Sequence, residues 1–437
     1  MMGKIRFATC ASVIGLGASV LSAGPALASG FALREESAEG LGNAFAGQTA
    51  KAYNSSTAYY NPAGMSNLTQ DEVAGTVTWI APQAKFEGHN TSPLGGNLTG
   101  SQPNNAIKAA AVGTMFGVYK LNEDWSLGMS VAAPFGMRSD YKADWVGRYQ
   151  ALHSDVTDVE FSPTMSYKVN DHWSVGGGPR VDYIDATLSQ AINSNAISLG
   201  NGGGAVGQDG SAKVWGDDTG YGYVLSTLYK FDESTRVGAT YRSRIVHTLD
   251  GSVQVSTPGL SSAIASGANL ISQGAKAKIT LPDSFNIGAY HDINEHFAVM
   301  ADASWTGWST FNTLDVVGDN GKAVSSTYEN WHNTYFISLG MNYKPDDKWV
   351  LHTGVAFDQA PVREANLTAR IPDANRYWTS LGVTYNFTKD VNVNLAYTHI
   401  FSDSATINNK SNSASGTLIG TYDNSVDIAS ASFVVKF

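Results

Sequence analysis

The chain has almost no cysteine and no long apolar segment beyond its first residues. Its single cysteine is Cys10, so the rest of the sequence offers no thiol for a disulfide bond or a cysteine metal site. No stretch after residue 28 is apolar and long enough to cross a membrane as a helix. Basic residues are also scarce, 28 against 38 acidic residues, which argues against nucleic acid as a partner.

Residues 1–28 have the features of a secretory signal peptide. Two basic residues near the start precede an apolar stretch over 7–21, and Ala26-Leu27-Ala28 forms a small-residue cleavage site. The apolar stretch is shorter than a membrane-spanning helix, which favours cleavage over the alternative of a permanent membrane anchor. We therefore predict that the mature chain begins at Ser29.

Six short polar turns with similar amino-acid sequences recur along the chain. Each opens with Tyr, and most close with a second aromatic residue; they lie at 119–125, 167–173, 229–237, 290–297, 343–349 and 385–391. Longer stretches, often rich in Gly, Ser and Asn, separate one hairpin from the next. Short turns at one end, long loops at the other and aromatic residues at the rim are typical of a transmembrane β-barrel.

In the segments on both sides of these turns, apolar residues alternate with small or polar ones, which is the pattern of a strand. Ile337, Leu339 and Met341, for example, share one face, whereas Ser338 and Gly340 share the other. Small and polar residues on the second face suit a barrel lumen. A water-soluble β-sandwich, the alternative fold, would not explain aromatic residues at turn after turn.

The alternation predicts an all-β fold, a 14-stranded antiparallel transmembrane β-barrel. The predicted strands are 72–86, 105–121, 125–134, 155–169, 173–188, 218–230, 235–250, 276–290, 297–311, 331–343, 349–359, 374–387, 391–402 and 425–437. An even count places both ends of the barrel at the short-turn, periplasmic side. The long connections become external loops, among them 189–217, 251–275, 312–330 and 403–424.

Residues 29–71 do not alternate like a strand. Gly, Ala and Ser dominate this segment, with single apolar anchors at Phe31, Leu33, Leu41, Phe45 and Met65. A fourteen-stranded barrel is too wide for its own side chains to fill, so a segment before the first strand is a natural plug for the lumen. The alternative is a disordered periplasmic extension, since Gly-rich segments are often disordered.

Three motifs in this segment lie at 29–33, 40–47 and Asn61-Pro62-Ala63, and further motifs lie at 133–137 with 145–149, at 240–243, and at 354–358 with 371–378. Together these motifs resemble those of the FadL-type long-chain fatty acid transporters of bacterial outer membranes. The resemblance spans nearly the whole chain after residue 28. The family also includes carriers of aromatic hydrocarbons, and the motifs do not separate the two activities.

The residues and the resemblance together predict three domains: a signal peptide (1–28), an N-terminal hatch inside the lumen (29–71) and the barrel (72–437). The resemblance implies capture of a hydrophobic compound on external loops, transfer to a pocket beside the hatch, and release through a lateral opening in the wall. The cargo would be a long-chain fatty acid or, alternatively, an aromatic hydrocarbon. The location would be the outer membrane of a Gram-negative bacterium, and the protein would be a monomer.

The first candidate ligand contacts lie in the hatch. Three of them are its apolar anchors Phe31, Leu33 and Phe45. The others form the tight turn Asn61, Pro62 and Ala63, which by resemblance lies at the ligand pocket and is expected to move when the path opens.

A carboxylate head group would also need a cation in the lumen. Arg242 and Arg244 share the polar face of their predicted strand, and Arg180 and Arg376 fall on lumen-facing positions as well. We expect one of these four arginines to contact ligand. The alternative for each is a salt bridge to an acidic residue of the lumen, such as Asp182.

A lateral opening requires a break in strand pairing. Pro134 lacks an N–H donor, and Gly136 is a residue type that often marks a kink or bulge. The resemblance places the wall kink of the family at about this point. The alternative is that Pro134 only ends its strand on the external side.

The sequence contains no motif of a known catalytic or metal centre. Gly-x-Ser-x-Gly is absent, and the nine histidines show no His-Glu-x-x-His spacing. We therefore expect no catalytic residue, no metal and no cofactor. Two rival functions stay open: an outer-membrane lipase, whose Ser and His would come from different strands, and a passive porin.

The chain ends in Phe433-Val-Val-Lys-Phe437, an apolar row that resembles the C-terminal signal of outer-membrane barrels. This resemblance implies two partners besides the hydrophobic ligand: the barrel assembly machinery and outer-membrane lipid.

Overall fold

A computed structural model describes residues 29–412 and 414–437 of the chain. The predicted signal peptide, residues 1–28, lies outside the described residues. Twenty strand segments form one antiparallel sheet in the part that is described. The sheet closes on itself because the first segment, β1 (Glu72–Thr91), pairs along its whole length with the last, β20 (Gly416–Lys436). None of the described helices is long and apolar enough to span a membrane.

The other strand segments are β2 (Ala110–Lys120), β3 (Trp125–Ala132), β4 (Gly136–Asp140), β5 (His153–Lys168), β6 (Trp173–Ile192), β7 (Gly210–Lys230), β8 (Thr235–Arg242), β9 (Ile245–Ser256), β10 (Gln273–Leu281), β11 (Ser284–Asp292), β12 (Phe297–Thr306), β13 (Thr313–Gly318), β14 (Ala323–Tyr328), β15 (Thr334–Tyr343), β16 (Trp349–Asp358), β17 (Arg376–Asn386), β18 (Val391–Ser402) and β19 (Ala405–Asn412). The helices are short: α1 (Ala38–Gly42), α2 (Thr57–Tyr60), α3 (Ser194–Gly200), α4 (Ser262–Gly267) and 3-10 turns at Pro62–Asn67, Trp308–Thr310 and Glu364–Asn366.

The predicted fold, a 14-stranded antiparallel β-barrel, is confirmed. Twenty segments give fourteen strands because six strands are each built from two segments in line. These pairs are β3 with β4, β8 with β9, β10 with β11, β12 with β13, β14 with β15, and β18 with β19.

The strands reach further on the external side than predicted. The predicted loops 189–217 and 251–275 are shortened by the ends of β6, β7, β9 and β10, the predicted loop 312–330 contains the β13–β14 hairpin, and the predicted loop 403–424 contains β19 and the start of β20. Beyond the membrane both faces of a strand meet water or polar loops. The contrast between the two faces therefore disappears from the sequence, although the backbone pairing continues.

The two faces of the membrane-spanning strands are as the alternation predicted. On β15, the lipid-facing Leu339 is 59% exposed at the protein surface, whereas the neighbouring Ser338 is 1% exposed and faces inward. Aromatic residues that flank the short turns pair across strands at the periplasmic rim. The ring centroids of Trp125 and Tyr167 lie 4.5 Å apart, for example. Such a rim is where amphipathic rings are most stable in a bilayer.

The segment before β1 lies inside the barrel and packs against its inner wall. The side-chain amide of Asn43 donates to the carbonyl oxygens of Met341 (3.2 Å) and Thr353 (3.2 Å). On another side of the lumen, the Arg236 Nε donates to the carbonyl of Ala50 (2.9 Å). The segment therefore plugs the lumen rather than extending away from it. The domain limits 1–28, 29–71 and 72–437 stay predictions, and we call residues 29–71 the hatch.

Candidate functional site

The barrel wall is interrupted between β2 and the strand formed by β3 and β4. Pairing of β2 with β3 ends at Met115 and Val131. Contact between the two sides resumes at Ile107 and Ser139, beyond the start of β2. Between these points, residues 110–114 and 132–136 form no ladder with each other in the described chain. We call this region the wall break.

An extra residue in one strand accompanies the wall break. Ala132 pairs with Glu160, and Gly136 pairs with Thr157. Residues 133–135 therefore oppose only two residues of β5, which is the arrangement of a β-bulge. Pro134 lies in the middle of this bulge and has no N–H to offer β2. The strand continues as β4, so Pro134 does not simply end it.

The hatch takes up the hydrogen bonds that β2 leaves open. The N–H of Leu33 donates to the carbonyl of Pro134 (2.7 Å), and the N–H of Gly136 donates to the carbonyl of Phe31 (2.9 Å). Ala32 forms an isolated antiparallel bridge with Phe135. A short piece of the hatch thus acts as a substitute strand at the wall break.

An apolar cavity lies directly beside this piece of the hatch, towards the external end of the barrel. Its lining is almost wholly apolar and includes Phe31, Met137, Val156, Ile184, Leu249, Trp215 and Phe311. The Phe31 ring anchors the cavity wall, because its centroid lies 5.0 Å from that of Trp308 and 5.7 Å from those of Phe135 and Phe311. A mostly apolar cavity with few polar groups is the usual form of a small-molecule site.

The polar groups of the cavity lining include Glu329 and Arg370. The Arg370 guanidinium donates to the carbonyl of His153 (3.1 Å), the hydroxyl of Ser154 (3.0 Å) and the carbonyl of Ser189 (3.2 Å). All of these acceptors are neutral, and Arg370 forms no salt bridge with a carboxylate anywhere in the described residues. Burial lowers the pKa of Arg370 to about 10, so it stays charged at neutral pH.

The lining also contains Lys276, whose Nζ lies 2.8 Å from a carboxylate oxygen of Asp250, and the acidic residue Glu329. Its Oε2 accepts a hydrogen bond from the indole N–H of Trp331 (3.1 Å). Burial raises the pKa of Glu329 to about 7, against the opposing effects of the Trp331 hydrogen bond and the charge of Arg370. At neutral pH the Glu329 carboxyl is therefore partly protonated, and its negative charge offsets that of Arg370 only in part.

The other predicted hatch residues lie away from this cavity. Leu33 and Phe45 belong to a separate apolar cluster, in which the Phe45 and Trp378 ring centroids are 6.2 Å apart. Asn61, Pro62 and Ala63 form the predicted tight turn: the Asn61 Oδ1 accepts from the N–H of Ala63 (3.1 Å).

This turn lies near the periplasmic end of β7. The Asn61 amide donates to the carbonyl oxygens of Thr49 (2.6 Å) and Thr227 (3.0 Å). Of the six predicted hatch residues, only Phe31 lines the cavity.

Three of the four predicted arginines are engaged in buried ion pairs. Arg180 and Arg242 share the carboxylate of Glu160, with 2.7 Å between the Arg180 Nε and Oε2. Arg376 is paired with Asp358 and Asp373. The salt-bridge alternative therefore describes these arginines, although the acidic partners differ from Asp182.

The prediction that Arg244 faces the lumen is wrong. Arg242 belongs to the inward row of β8, but the inward row of β9 begins at Ile245, which is 1% exposed. The irregular residues between the two segments change the parity. The Arg244 side chain is therefore 55% exposed on the outer face, where its Nη2 lies 3.4 Å from a carboxylate oxygen of Asp283.

Sequence reasoning missed Arg370. It lies between the 3-10 turn at Glu364–Asn366 and β17, in a segment without regular alternation, so no period indicates where its side chain points. The only available signal was a single basic residue among apolar neighbours, Leu367, Ala369 and Ile371. No group of three or more His, Asp or Glu side chains is placed to hold a metal ion within the described ranges.

Comparison with known proteins agrees with this architecture. The sequence model of the family described as outer membrane protein transport protein (OMPP1/FadL/TodX) matches residues 19–437. The long-chain fatty acid transport protein of Escherichia coli K12 is 26% identical over 408 residues, covering 88% of this chain and 90% of that protein. The 47 kDa outer membrane protein of Pasteurella multocida is 29% identical over 387 residues, covering 86% and 88%.

Solved structures show the same fold. A Pseudomonas aeruginosa FadL homologue has a TM-score of 0.87 and 26% identity, with 93% of this chain and 100% of that chain covered. The Ralstonia pickettii toluene transporter TbuX has a TM-score of 0.67 and 17% identity, covering 94% and 99%, which is a likeness of fold alone. Because one family accounts for residues 19–437 and the barrel agrees with it, this chain belongs to the OMPP1/FadL/TodX family of outer membrane transport proteins.

Proposed function

We propose that this protein carries long-chain fatty acids, or similar hydrophobic compounds with an acidic head group, across the outer membrane. The observation that carries the proposal is Arg370, a cation without a carboxylate partner in the described chain, in the lining of an apolar cavity. The name of the Escherichia coli relative, a long-chain fatty acid transport protein, supports the same cargo.

Both parts of such a ligand would gain from this cavity. Each CH₂ group that leaves water for apolar surroundings contributes about 0.8 kcal/mol. A carboxylate that accepts from the Arg370 guanidinium forms a charge-assisted hydrogen bond, which is stronger than one between neutral groups. We therefore propose Arg370, rather than Arg242, Arg244 or Arg376, as the residue that meets the head group.

The proposed route leads from the cavity to the wall break. Phe31 lines the cavity and also accepts the hydrogen bond from the N–H of Gly136. A shift of residues 31–33 would release both Pro134 and Gly136 and open a passage sideways into the membrane. Leu33, Phe45 and the Asn61-Pro62-Ala63 turn would then position the hatch rather than touch ligand in this cavity.

Uptake of aromatic hydrocarbons is the second candidate function. The observation that favours it is the aromatic share of the lining, in which Phe31, Trp215 and Phe311 offer ring faces and edges to a flat ligand. An uncharged hydrocarbon would make no use of Arg370, so the two functions differ in their dependence on this one residue.

We further propose that the protein is a transporter and not an enzyme. Members of its family are transport proteins, and a passive porin would need the open lumen that the hatch fills. A monomer without cofactor or metal is sufficient for this function, because the wall break and the cavity belong to one chain. Outer-membrane lipid and the barrel assembly machinery are its proposed partners.

The proposal is tested by binding of labelled oleate to the purified, detergent-folded protein with Arg370→Gln. A hydrogen bond to a charged group contributes about 1.5–3 kcal/mol, so we expect oleate affinity to fall by roughly ten- to a hundredfold. Toluene, used as a competitor, should bind the variant and the original protein equally well.

Arg363→Gln is the matched control. Arg363 lies on the same external segment, but it is exposed and donates to the carbonyl of Asn330 (2.9 Å) away from the cavity. Loss of oleate binding in both variants, or in neither, would remove Arg370 from the site. Competition by toluene that exceeds that of unlabelled oleate would transfer the assignment to hydrocarbons.

A further inference from the structure

Glu36 connects the two edges of the wall break. Its carbonyl accepts a hydrogen bond from the hydroxyl of Thr114 on β2 (2.6 Å). Its carboxyl Oε2 lies 3.5 Å from the backbone nitrogen of Ala133, at the start of the bulge. The residue is 0% exposed. A buried carboxyl group therefore stands at the place where cargo would leave the barrel.

This carboxyl group has no direct counterion. Oε1 of Glu36 has no hydrogen-bond partner among the described residues, and neither oxygen forms a salt bridge there. Burial raises the pKa of Glu36 to about 8, the backbone N–H of Ala133 and the charge of Arg242 oppose this rise, and Glu35 and Glu160 add to it. Tyr59 and Tyr60 of the hatch also lie within its electrostatic reach. At pH 7 Glu36 therefore holds a proton.

A fatty acid that leaves sideways has a charge problem that an alcohol or a hydrocarbon does not have. An ionised carboxylate is strongly disfavoured in hydrocarbon, and a buried acid avoids this cost by becoming neutral. The head group that Arg370 holds as an anion must therefore gain a proton before or while it enters the membrane.

We propose that Glu36 gives its proton to the carboxylate of the departing fatty acid at the wall break. The O–H bond of Glu36 breaks, and an O–H bond forms on the ligand, which leaves as the neutral acid. Glu36 is left as a carboxylate and recovers its proton from water. The inference rests on the proposed function, because it requires a carboxylate cargo and a lateral exit.

The neighbouring charges suit both halves of this exchange. Arg180 and Arg242 share the carboxylate of Glu160, and the buried carboxyl group of Asp158 lies close to Arg180. Arg242 is the cation of this cluster whose charge acts on Glu36, and it would also attract an anionic head group. Arg242 also stabilises the carboxylate that remains on Glu36 after the transfer, since its charge favours the ionised form.

The test compares Glu36→Gln with the original protein in cells that lack their own fatty acid transporter. Uptake of labelled oleate and of labelled oleyl alcohol, which has the same chain but no charge, is measured at pH 7. Gln keeps the size and polarity of Glu but has no acidic proton. We expect oleate uptake to fall about tenfold, since an unneutralised carboxylate faces at least this barrier in hydrocarbon, and oleyl alcohol uptake to stay unchanged.

Glu35→Gln is the matched control. Glu35 is the neighbouring residue and is equally buried, but its carboxyl accepts from the N–H of Arg34 (2.8 Å) and does not contact the bulge. This control should carry both compounds at the original rate. Glu36→Asp, which keeps an acidic proton, should restore part of the oleate uptake. In the original protein, oleate uptake should also fall as the pH rises through about 8.

The outcomes separate the inference from the proposed function. Equal loss of acid and alcohol uptake in Glu36→Gln would show that Glu36 only holds the hatch in place, and unchanged uptake of both would show that it donates no proton. Either result overturns the inference alone. If the original protein itself carries neither compound, the proposed function fails as well.

Discussion

The hatch meets two sides of the barrel in different ways. Against β16, its backbone lies on a glycine: a Cβ atom at Gly354 would come within 2.2 Å of the Asn43 backbone. At the wall break, by contrast, backbone hydrogen bonds from residues 31–33 hold it, together with the Phe31 ring, which packs against Trp308 and Phe135. The first contact depends on shape and cannot be loosened gradually. The second consists of directional hydrogen bonds and side-chain contacts, which a small shift of residues 31–33 would break without any overlap of backbone atoms.

This difference indicates which part of the hatch is fixed and which part can move. Close packing of backbone against backbone fixes Asn43 and the residues beside it to the wall. We propose that the strand-like piece at residues 31–33 moves while that packing stays in place. Under this proposal, a passage to the membrane does not require the hatch to leave the barrel.

The largest expected effect comes from destroying the fixed contact with Gly354→Val. The added side chain would overlap the Asn43 backbone, which cannot yield, so we expect about 3 kcal/mol of lost stability. The control is Gly75→Val on β1, where an added Cβ meets nothing within 4 Å. Thermal unfolding in detergent and proteolysis of the hatch are the measurements. Equal stability of the two variants would show that the hatch is not fixed at Gly354.

An intermediate effect is expected from closing the wall break by deleting Pro134. With one residue fewer, β3 can run directly into β4 without the bulge against β5, so that an unbroken strand with a full set of N–H donors can face β2. Oleate uptake should fall about tenfold, which corresponds to a barrier raised by about 1.4 kcal/mol, while oleate binding persists. Deletion of Gly95, in an external loop, controls for shortening of the chain. Uptake at the original rate in the Pro134 deletion would place the exit elsewhere.

The smallest expected effect concerns the pH dependence of stability at the movable side. Folding raises the pKa of Glu36 from the ordinary 4.5 to about 8. The associated stability is fully present below pH 4.5 and is lost as the pH rises through 8. Glu36→Gln has no such titration. Its melting temperature, compared with that of the original protein, should therefore improve by about 2 °C or more between pH 5 and pH 9. Parallel pH curves of the two proteins would contradict the raised pKa.

The architecture was predictable because each strand faces lipid on one side and a polar lumen on the other, so that apolar and polar residues alternate along it. Leu339 beside Ser338 shows this contrast, and the aromatic turns add the boundaries of the membrane. The strand β19 was not predicted, because only Ala405 and Ile407 of this segment form an apolar row, and both are buried. Two apolar residues among polar ones are too short a pattern to distinguish a strand from a loop.

The site was less predictable, since it depends on irregular positions. One bulge after Arg242 reversed the side on which Arg244 lies, and parity arguments cannot detect an inserted residue. Arg370 lies on a segment without any period. Ion pairing of Arg376 with Asp358 and Asp373 required knowledge of which loop folds back over β17. The motif resemblance located Pro134 and Gly136, whereas the free cation became visible only in three dimensions.

The pairing of β1 with β20 also closes the barrel and so completes its lumen. β20 is the last strand of the chain and is 21 residues long. It pairs with both β1 and β18. A chain that ends before β20 would expose two unpaired strand edges, which invite pairing with other chains. The hatch precedes β1 in the sequence, and β20 forms the seam with β1. The lumen around the hatch is therefore complete only when β20 has paired with both of its neighbours.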